Sequence, residues 1–100
     1  MNLYERALME APTIHGDRCV VCGRRAQNDH HLVYRSHGGE DGPTVPLCGF
    51  GNVSGCHGAV HHNRIHFRFS DGRLEYLVTD TPVKVDAAMC MEGWVEVGYL

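Results

Sequence analysis

The chain has 100 residues, a net charge of −3, 43% hydrophobic residues and five cysteines. That length supports one domain with a small core, which needs a cross-link or a bound metal to reach ordinary stability. No stretch approaches the roughly 18 apolar residues of a membrane-spanning helix, and the net charge alone argues against a polyanionic partner.

The charge distribution restores that partner. Residues 18–73 hold seven arginines against four acids, a local balance of +3, while residues 1–17 sum to −2 and residues 74–100 to −4. Arginine's planar fork suits phosphate, so the middle of the chain is the candidate contact for a phosphodiester backbone.

In chain order, Asn2 followed by Glu5 reads as a capping box, and Leu3, Tyr4, Ala7, Leu8 and Ala11 share one side of a helix that Pro12 ends. Cys19-Val20-Val21-Cys22 is a tight knuckle. His31-Leu32-Val33-Tyr34 reads as a strand, Ser36 to Pro43 as a glycine-rich turn, and Thr44-Val45-Pro46-Leu47 as the returning strand, with Pro46 implying an irregular or edge position. Cys56 to Asn63 has helical spacing and a candidate cap in Ser54. His57 and His61 then share a face, and His62 is rotated away by about 100°. Arg64 to Phe69 and Arg73 to Val78 alternate around the turn Ser70-Asp71-Gly72, with Ile65, Phe67 and Phe69 facing inward beside Leu74, Tyr76 and Val78. Val83 to Asp86 and Trp94 to Tyr99 read as two further short strands.

Cys19, Cys22, Cys48 and Cys56 form two spaced pairs, and four thiolates within tetrahedral reach make a structural zinc site. The insert between Cys48 and Cys56 contains Gly49, Gly51 and Gly55, which let the chain fold back so that both sulfurs reach one ion. A disulfide framework is the competing reading. The odd cysteine count and the charged start, Met1 to Arg6 with no apolar signal core, argue for a reducing compartment instead. Cys90, between two methionines, reads as a buried small hydrophobe.

Taken together, Cys19-x2-Cys22, Asp29-His30-His31-Leu32-Val33-Tyr34-Arg35-Ser36-His37-Gly38-Gly39, Pro46-Leu47-Cys48 and Gly55-Cys56-His57-Gly58-Ala59-Val60-His61 resemble the HNH endonucleases. The resemblance is greatest to the small zinc-stabilised type of phages and prophages and covers roughly residues 19–62. It implies an α+β fold: a ββα-metal (His-Me finger) core at about residues 19–69, carrying the four-cysteine zinc site, and an antiparallel β-rich extension at about residues 70–100. It implies that His30, His57 and His61 hold a catalytic divalent cation (Mg2+, Mn2+, Ni2+ or Zn2+), that His31 is the general base, and that DNA is cut to leave 5′-phosphate and 3′-hydroxyl ends. Adjacent strand residues point to opposite faces, which suits one ligand and one base. Imidazole exchanges protons near neutral pH, as a water-activating base must. Arg35 and Arg64 are the candidates for holding the phosphodiester backbone.

The chain departs from the family at the second strand, where an asparagine would orient the base. Thr44 is the nearest side chain there able to accept a hydrogen bond from an imidazole, with a backbone carbonyl as the alternative. His15, His37 and His66 are expected in surface or satisfied core positions, although His37 could reach phosphate from its loop. Two other functions stay open: a catalytically weak zinc-dependent nucleic-acid-binding module, and an interaction module whose segment from Leu74 to Leu100 recruits a partner through Trp94 or Tyr99. The resemblance permits a partner in phage DNA packaging, such as a terminase, and implies the cytoplasm of a bacterium or phage-infected host.

Overall fold

The Asn2 side chain accepts the Glu5 N–H at 2.8 Å while Glu5 Oε1 accepts the Asn2 N–H at 3.1 Å, so the expected capping box opens the first helix. The computed structural model describes residues 1–51 and 53–98. Helix α1 spans Leu3–Leu8 and stops short of Ala11. Its end tightens into i→i+3 bonds, from Glu10 N–H to Ala7 and from Ala11 N–H to Leu8, ahead of Pro12. Leu8 and Ala11 are buried, whereas Leu3 is exposed.

The first sheet is the antiparallel pair β1 (Asn28–His31) and β2 (Thr44–Leu47), in a register that puts His30 opposite Val45 and His31 opposite Thr44. Strand β1 therefore lies three residues earlier than the expected His31 to Tyr34. The reason is Pro43: its carbonyl accepts the Leu32 N–H at 3.0 Å, but it has no N–H to return, and the ladder ends there. Leu32 and Val33 leave the ladder and are still buried. Pro46 sits opposite Asp29, and its carbonyl accepts the Val20 N–H at 3.1 Å, which ties the cysteine knuckle to the hairpin.

Helix α2 (Gly55–His61) follows, then β3 (Ile65–Ser70) and β4 (Arg73–Val78). Asp71 and Gly72 both take positive φ, 53° and 74°, the two-residue turn expected between such strands. The alternation predicted for this hairpin holds only in part. Ile65, Phe67 and Leu74 are buried, but Val78 is 56% exposed, and the opposite face buries His66 and Leu77. After β4 the chain passes close to that second face, with Gly93 beside Leu77 and Trp94 under Arg68.

Two strand expectations in this segment are corrected. Val85–Met89 is helix α3, where the helix-forming run Ala87-Ala88-Met89 overrides the short Val-Lys-Val alternation, and Ala88 is fully buried. Strand β5 is only Val95–Glu96, paired with β4, and Tyr99 lies outside the described residues. Cys90 is exposed, not buried. Trp94 is half-buried under the Arg68 guanidinium, 4.3 Å from the ring centroid, so it is not a free surface aromatic.

The chain is thus an α+β domain with two small sheets, in the strand orders β1-β2 and β3-β4-β5. Its core joins Leu8, Ile14, Val33, Val45, Leu47, Val60, Ile65, Phe67, Leu74 and Val97. No helix among the described residues is long and apolar enough to cross a membrane.

Candidate metal centres

The knuckle, the end of β2 and the first turn of α2 bring four sulfurs together. The Sγ atoms of Cys19, Cys22, Cys48 and Cys56 all lie within 4.8 Å of one another, and Cys22 and Cys48 approach to 3.5 Å. A tetrahedral ion with Zn–S bonds near 2.3 Å needs sulfur separations of about 3.8 Å, close to the Cys22–Cys48 pair and within the bound on the other pairs. All four are free thiols, so the disulfide reading is not what the chain adopts. Burial would raise the Cys19 thiol, but the backbone N–H groups of Cys22, Cys48 and Val21 pull it down to about 7. Cys22 and Cys56 are pushed up, by burial first and by the neighbouring thiols next. Crowded thiols that resist multiple ionisation without a counter-charge are a donor set suited to a bound cation.

Cys48 also begins the next element. Its Sγ accepts the Cys56 N–H at 3.4 Å and its carbonyl accepts the His57 N–H at 2.9 Å, which occupies two N–H groups of the first turn of α2. Ser54 stands at the N-cap, but its hydroxyl does not cap the helix; it accepts the Phe50 N–H at 3.1 Å within the insert. The insert closes tightly, because Gly49 at φ 104° and Gly55 at φ 65° pack backbone to backbone, and a Cβ on Gly49 would lie 2.0 Å from the Ser54 carbonyl. Gln27 Oε1 accepts the Gly49 N–H at 2.7 Å and the Asn28 amide donates to the Gly49 carbonyl, so the start of β1 and the residue before it hold the loop that leads into α2.

The other end of α2 is equally defined. The Arg64 N–H bonds to the Ala59 carbonyl at 2.8 Å, the Asn63 N–H to Val60 at 3.1 Å, and Asn63 takes φ 58°. This is a Schellman stop with asparagine in the left-handed position. It ends the helix directly after His61 and His62.

Between these anchors three imidazoles converge. One ring nitrogen each from His30, His57 and His61 lies within 4.8 Å of the others, and Nε2 of His57 is 3.3 Å from Nε2 of His61. His30 comes from β1 and is 5% exposed, His57 is half-buried, and His61 is exposed. Burial, then the neighbouring His57, His61 and His31 rings, push the His30 imidazole down to about 3. Burial and His61 also lower His57, against a pull upward from the Gly51 backbone. Both shifts favour the neutral ring, the form that donates a lone pair to an ion. Three ring nitrogens at these separations are close enough to share one divalent cation and would leave it open positions.

His31 stands outside this triad. It pairs with Thr44, whose own backbone points away from β1: the Thr44 N–H bonds to Thr13 Oγ1 at 3.2 Å and its carbonyl accepts the Ile14 N–H at 2.9 Å. His31 and Thr44 therefore form a non-hydrogen-bonded pair of the ladder, the kind in which facing side chains come closest. His62 is exposed and rotated off the His57–His61 face. Arg35 opens a short 3-10 turn (Arg35–His37) directly after Tyr34, and Arg64 follows the Schellman stop; both are exposed. His15 is exposed, and His66 is a satisfied buried histidine with Nε2 3.0 Å from the Asn63 carbonyl oxygen.

Sequence reasoning missed Tyr34. Its ring stacks on His61 at 5.4 Å between centroids and 21° between planes, and it meets His30 and His37 edge-on. His37 Nδ1 is 2.8 Å from Glu5 Oε2 on α1. An aromatic residue near two histidine motifs was the available signal for Tyr34; none linked Glu5 to a loop 32 residues away. No protein-family model, curated protein or solved structure matches this chain.

Proposed function

We propose that the chain is a metal-dependent endonuclease of the HNH type, a ββα-metal domain that hydrolyses DNA phosphodiester bonds. The observation that carries this reading is the convergence of His30, His57 and His61 on one point while the adjacent His31 is left out of the cluster. The motif order that resembles the HNH endonucleases supports it, and so does the hairpin followed by a helix, the arrangement that family uses to grip one cation.

In this reading His30, His57 and His61 hold the cation, and Cys19, Cys22, Cys48 and Cys56 hold a structural zinc. When bound, the cation would supply charge neutralisation at the scissile phosphodiester. His31 takes a proton from water as the water oxygen bonds to phosphorus, and the P–O3′ bond breaks, the departing O3′ taking a proton from solvent, to give 5′-phosphate and 3′-hydroxyl ends. Thr44, facing His31 across the ladder, orients the base in place of the family's asparagine. Arg35 and Arg64 hold the flanking backbone by charge, which gives little sequence preference.

The test is nicking of supercoiled plasmid in Mg2+, Mn2+, Ni2+ or Zn2+ by the zinc-loaded protein and by His31→Ala. Loss of a general base lowers the rate by about 10²- to 10⁴-fold. Nicking by His31→Ala at the wild-type rate removes His31 from its role, and DNA binding without nicking by the wild type makes the chain a binding module.

A further inference from the structure

His61 is the weakly held member of the triad. It lies in the last turn of a seven-residue helix, is exposed, and among the described residues its hydrogen-bonding contact is with the neighbouring ligand His57. Histidines that bind metals usually have the second ring nitrogen fixed by a carboxylate or carbonyl, which sets the ring plane before the ion arrives. Here the ring plane is set by an aromatic face. Tyr34 lies against His61 with only 21° between the planes, and the 3-10 turn that follows Tyr34 carries His37 to its edge, 5.5 Å between centroids at 73°.

His37 is itself anchored from outside the hairpin-helix unit. Its Nδ1 meets Glu5 Oε2 at 2.8 Å, while Glu5 Oε1 accepts the Asn2 N–H at 3.1 Å. Both carboxylate oxygens are engaged, so the Glu5 rotamer is locked to the helix cap. Helix α1 is in turn seated against β3. A continuous set of contacts runs from the Asn2 cap through Glu5, His37 and Tyr34 to His61.

We propose that Tyr34, braced by the Glu5–His37 pair, fixes the ring of His61 and thereby sets the affinity of the histidine site for its divalent cation. Tyr34 is a positioning residue, and helix α1 is part of the cation site although it supplies no ligand. The inference rests on the reading of His30, His57 and His61 as a cation site, and is independent of whether the chain cuts DNA.

The experiment loads the cysteine site with zinc and titrates the full chain with Co2+, following the ligand-field absorption of the second ion and its heat of binding. Loss of a group that orients a ligand weakens metal binding by roughly 10- to 100-fold. Tyr34→Leu, which keeps apolar bulk and loses the aromatic face, is expected near the lower end of that range, and Tyr34→Phe is expected to bind Co2+ like the wild type. Glu5→Gln keeps the capping box, since glutamine serves there as well as glutamate, and removes the charge facing His37. It is expected to weaken Co2+ binding by a smaller factor than Tyr34→Leu. Wild-type affinity in Tyr34→Leu overturns the proposal, as does a Tyr34→Leu protein that also releases its cysteine-bound zinc, because the role is then in folding. If the wild type takes up no second ion, or His57→Ala still binds it, the cation-site reading itself fails.

Discussion

The backbone carbonyl of Cys48 accepts the N–H of His57 at 2.9 Å, so a residue of the thiol cluster directly positions a residue of the imidazole triad. Cys56 and His57 are also consecutive in α2, one in each cluster. The two centres share a helix turn, so the imidazole triad depends on the folded thiol cluster. Structural zinc binds small domains with about 10–16 kcal/mol, as much as the roughly 5–15 kcal/mol total stability of a domain. Zinc removal by a strong chelator, or Cys48→Ser, is therefore expected to abolish the cooperative thermal transition and uptake of a second cation at once. Circular dichroism and metal stoichiometry check this; a chelated protein that still melts cooperatively and binds Co2+ through imidazole would separate the centres.

His30 is expected to stay neutral over the whole physiological range. Burial, followed by the His57, His61 and His31 rings, holds it down to about 3. In the unfolded chain a histidine ring protonates near pH 6.5. The folded state thus binds fewer protons below that pH, and the stability this group contributes is present above about 6.5 and lost as pH falls toward 3. In 15N-correlated NMR of the zinc-loaded protein without a second cation, the His30 nitrogens should not move between pH 8 and pH 5. A midpoint near 6.5 for His30 would show that the ring is not desolvated.

The His31–Thr44 pair offers a direct test of base orientation. Thr44→Val keeps the β-branched shape and both backbone hydrogen bonds to Thr13 and Ile14 but loses the hydroxyl. If His31 is the base of the proposed nuclease, a tilted or wrongly tautomerised ring costs rate and not binding, so nicking should fall by about tenfold, with DNA affinity unchanged and Thr44→Ser close to wild type. Equal nicking by Thr44→Val would assign the orienting role to a backbone carbonyl.

Arg35 and Arg64 follow different physics. If each neutralises one phosphate, each alanine substitution reduces the slope of log K against log salt by about one and weakens binding uniformly across DNA sequences. Fluorescence anisotropy over a salt series measures it, and an unchanged slope would place that arginine off the interface.

Where chemistry depends on residue type at short range, the chain could be read directly. Cys19 and Cys22 share a knuckle and His57 and His61 share one helix face, and both relationships survive in the structure. The Asn2–Glu5 box is legible for the same reason, since a three-residue spacing fixes its geometry. Relationships set by tertiary packing were not legible. The β1 boundary depends on which residue faces Pro43, and the burial of Leu77 depends on Gly93, far along the chain, lying beside it. Helix α3 was missed because Val83 to Asp86 alternates for only four residues, too few for that pattern to outweigh the alanines after it. The contact between Glu5 and His37 spans 32 residues and follows from how α1 docks, which no local pattern encodes.

Asn63 turns the end of α2 into a measurable determinant of the site. It holds the left-handed position of the Schellman stop at φ 58°, two residues after His61. Glycine adopts that conformation without strain, whereas a β-branched residue is penalised by roughly 1–2 kcal/mol. Asn63→Gly should therefore leave the melting temperature nearly unchanged, and Asn63→Val should lower it by several degrees, as about 1 kcal/mol does in a domain of this size. Because the last turn carries His61, fraying in Asn63→Val should also weaken the second cation more than it weakens the cysteine-bound zinc, which lies at the opposite end of the helix. Calorimetry of both variants with Co2+ measures the two effects together, and an equal loss at both centres would mean that the helix responds as a rigid unit and that its C-terminal stop has no separate hold on His61.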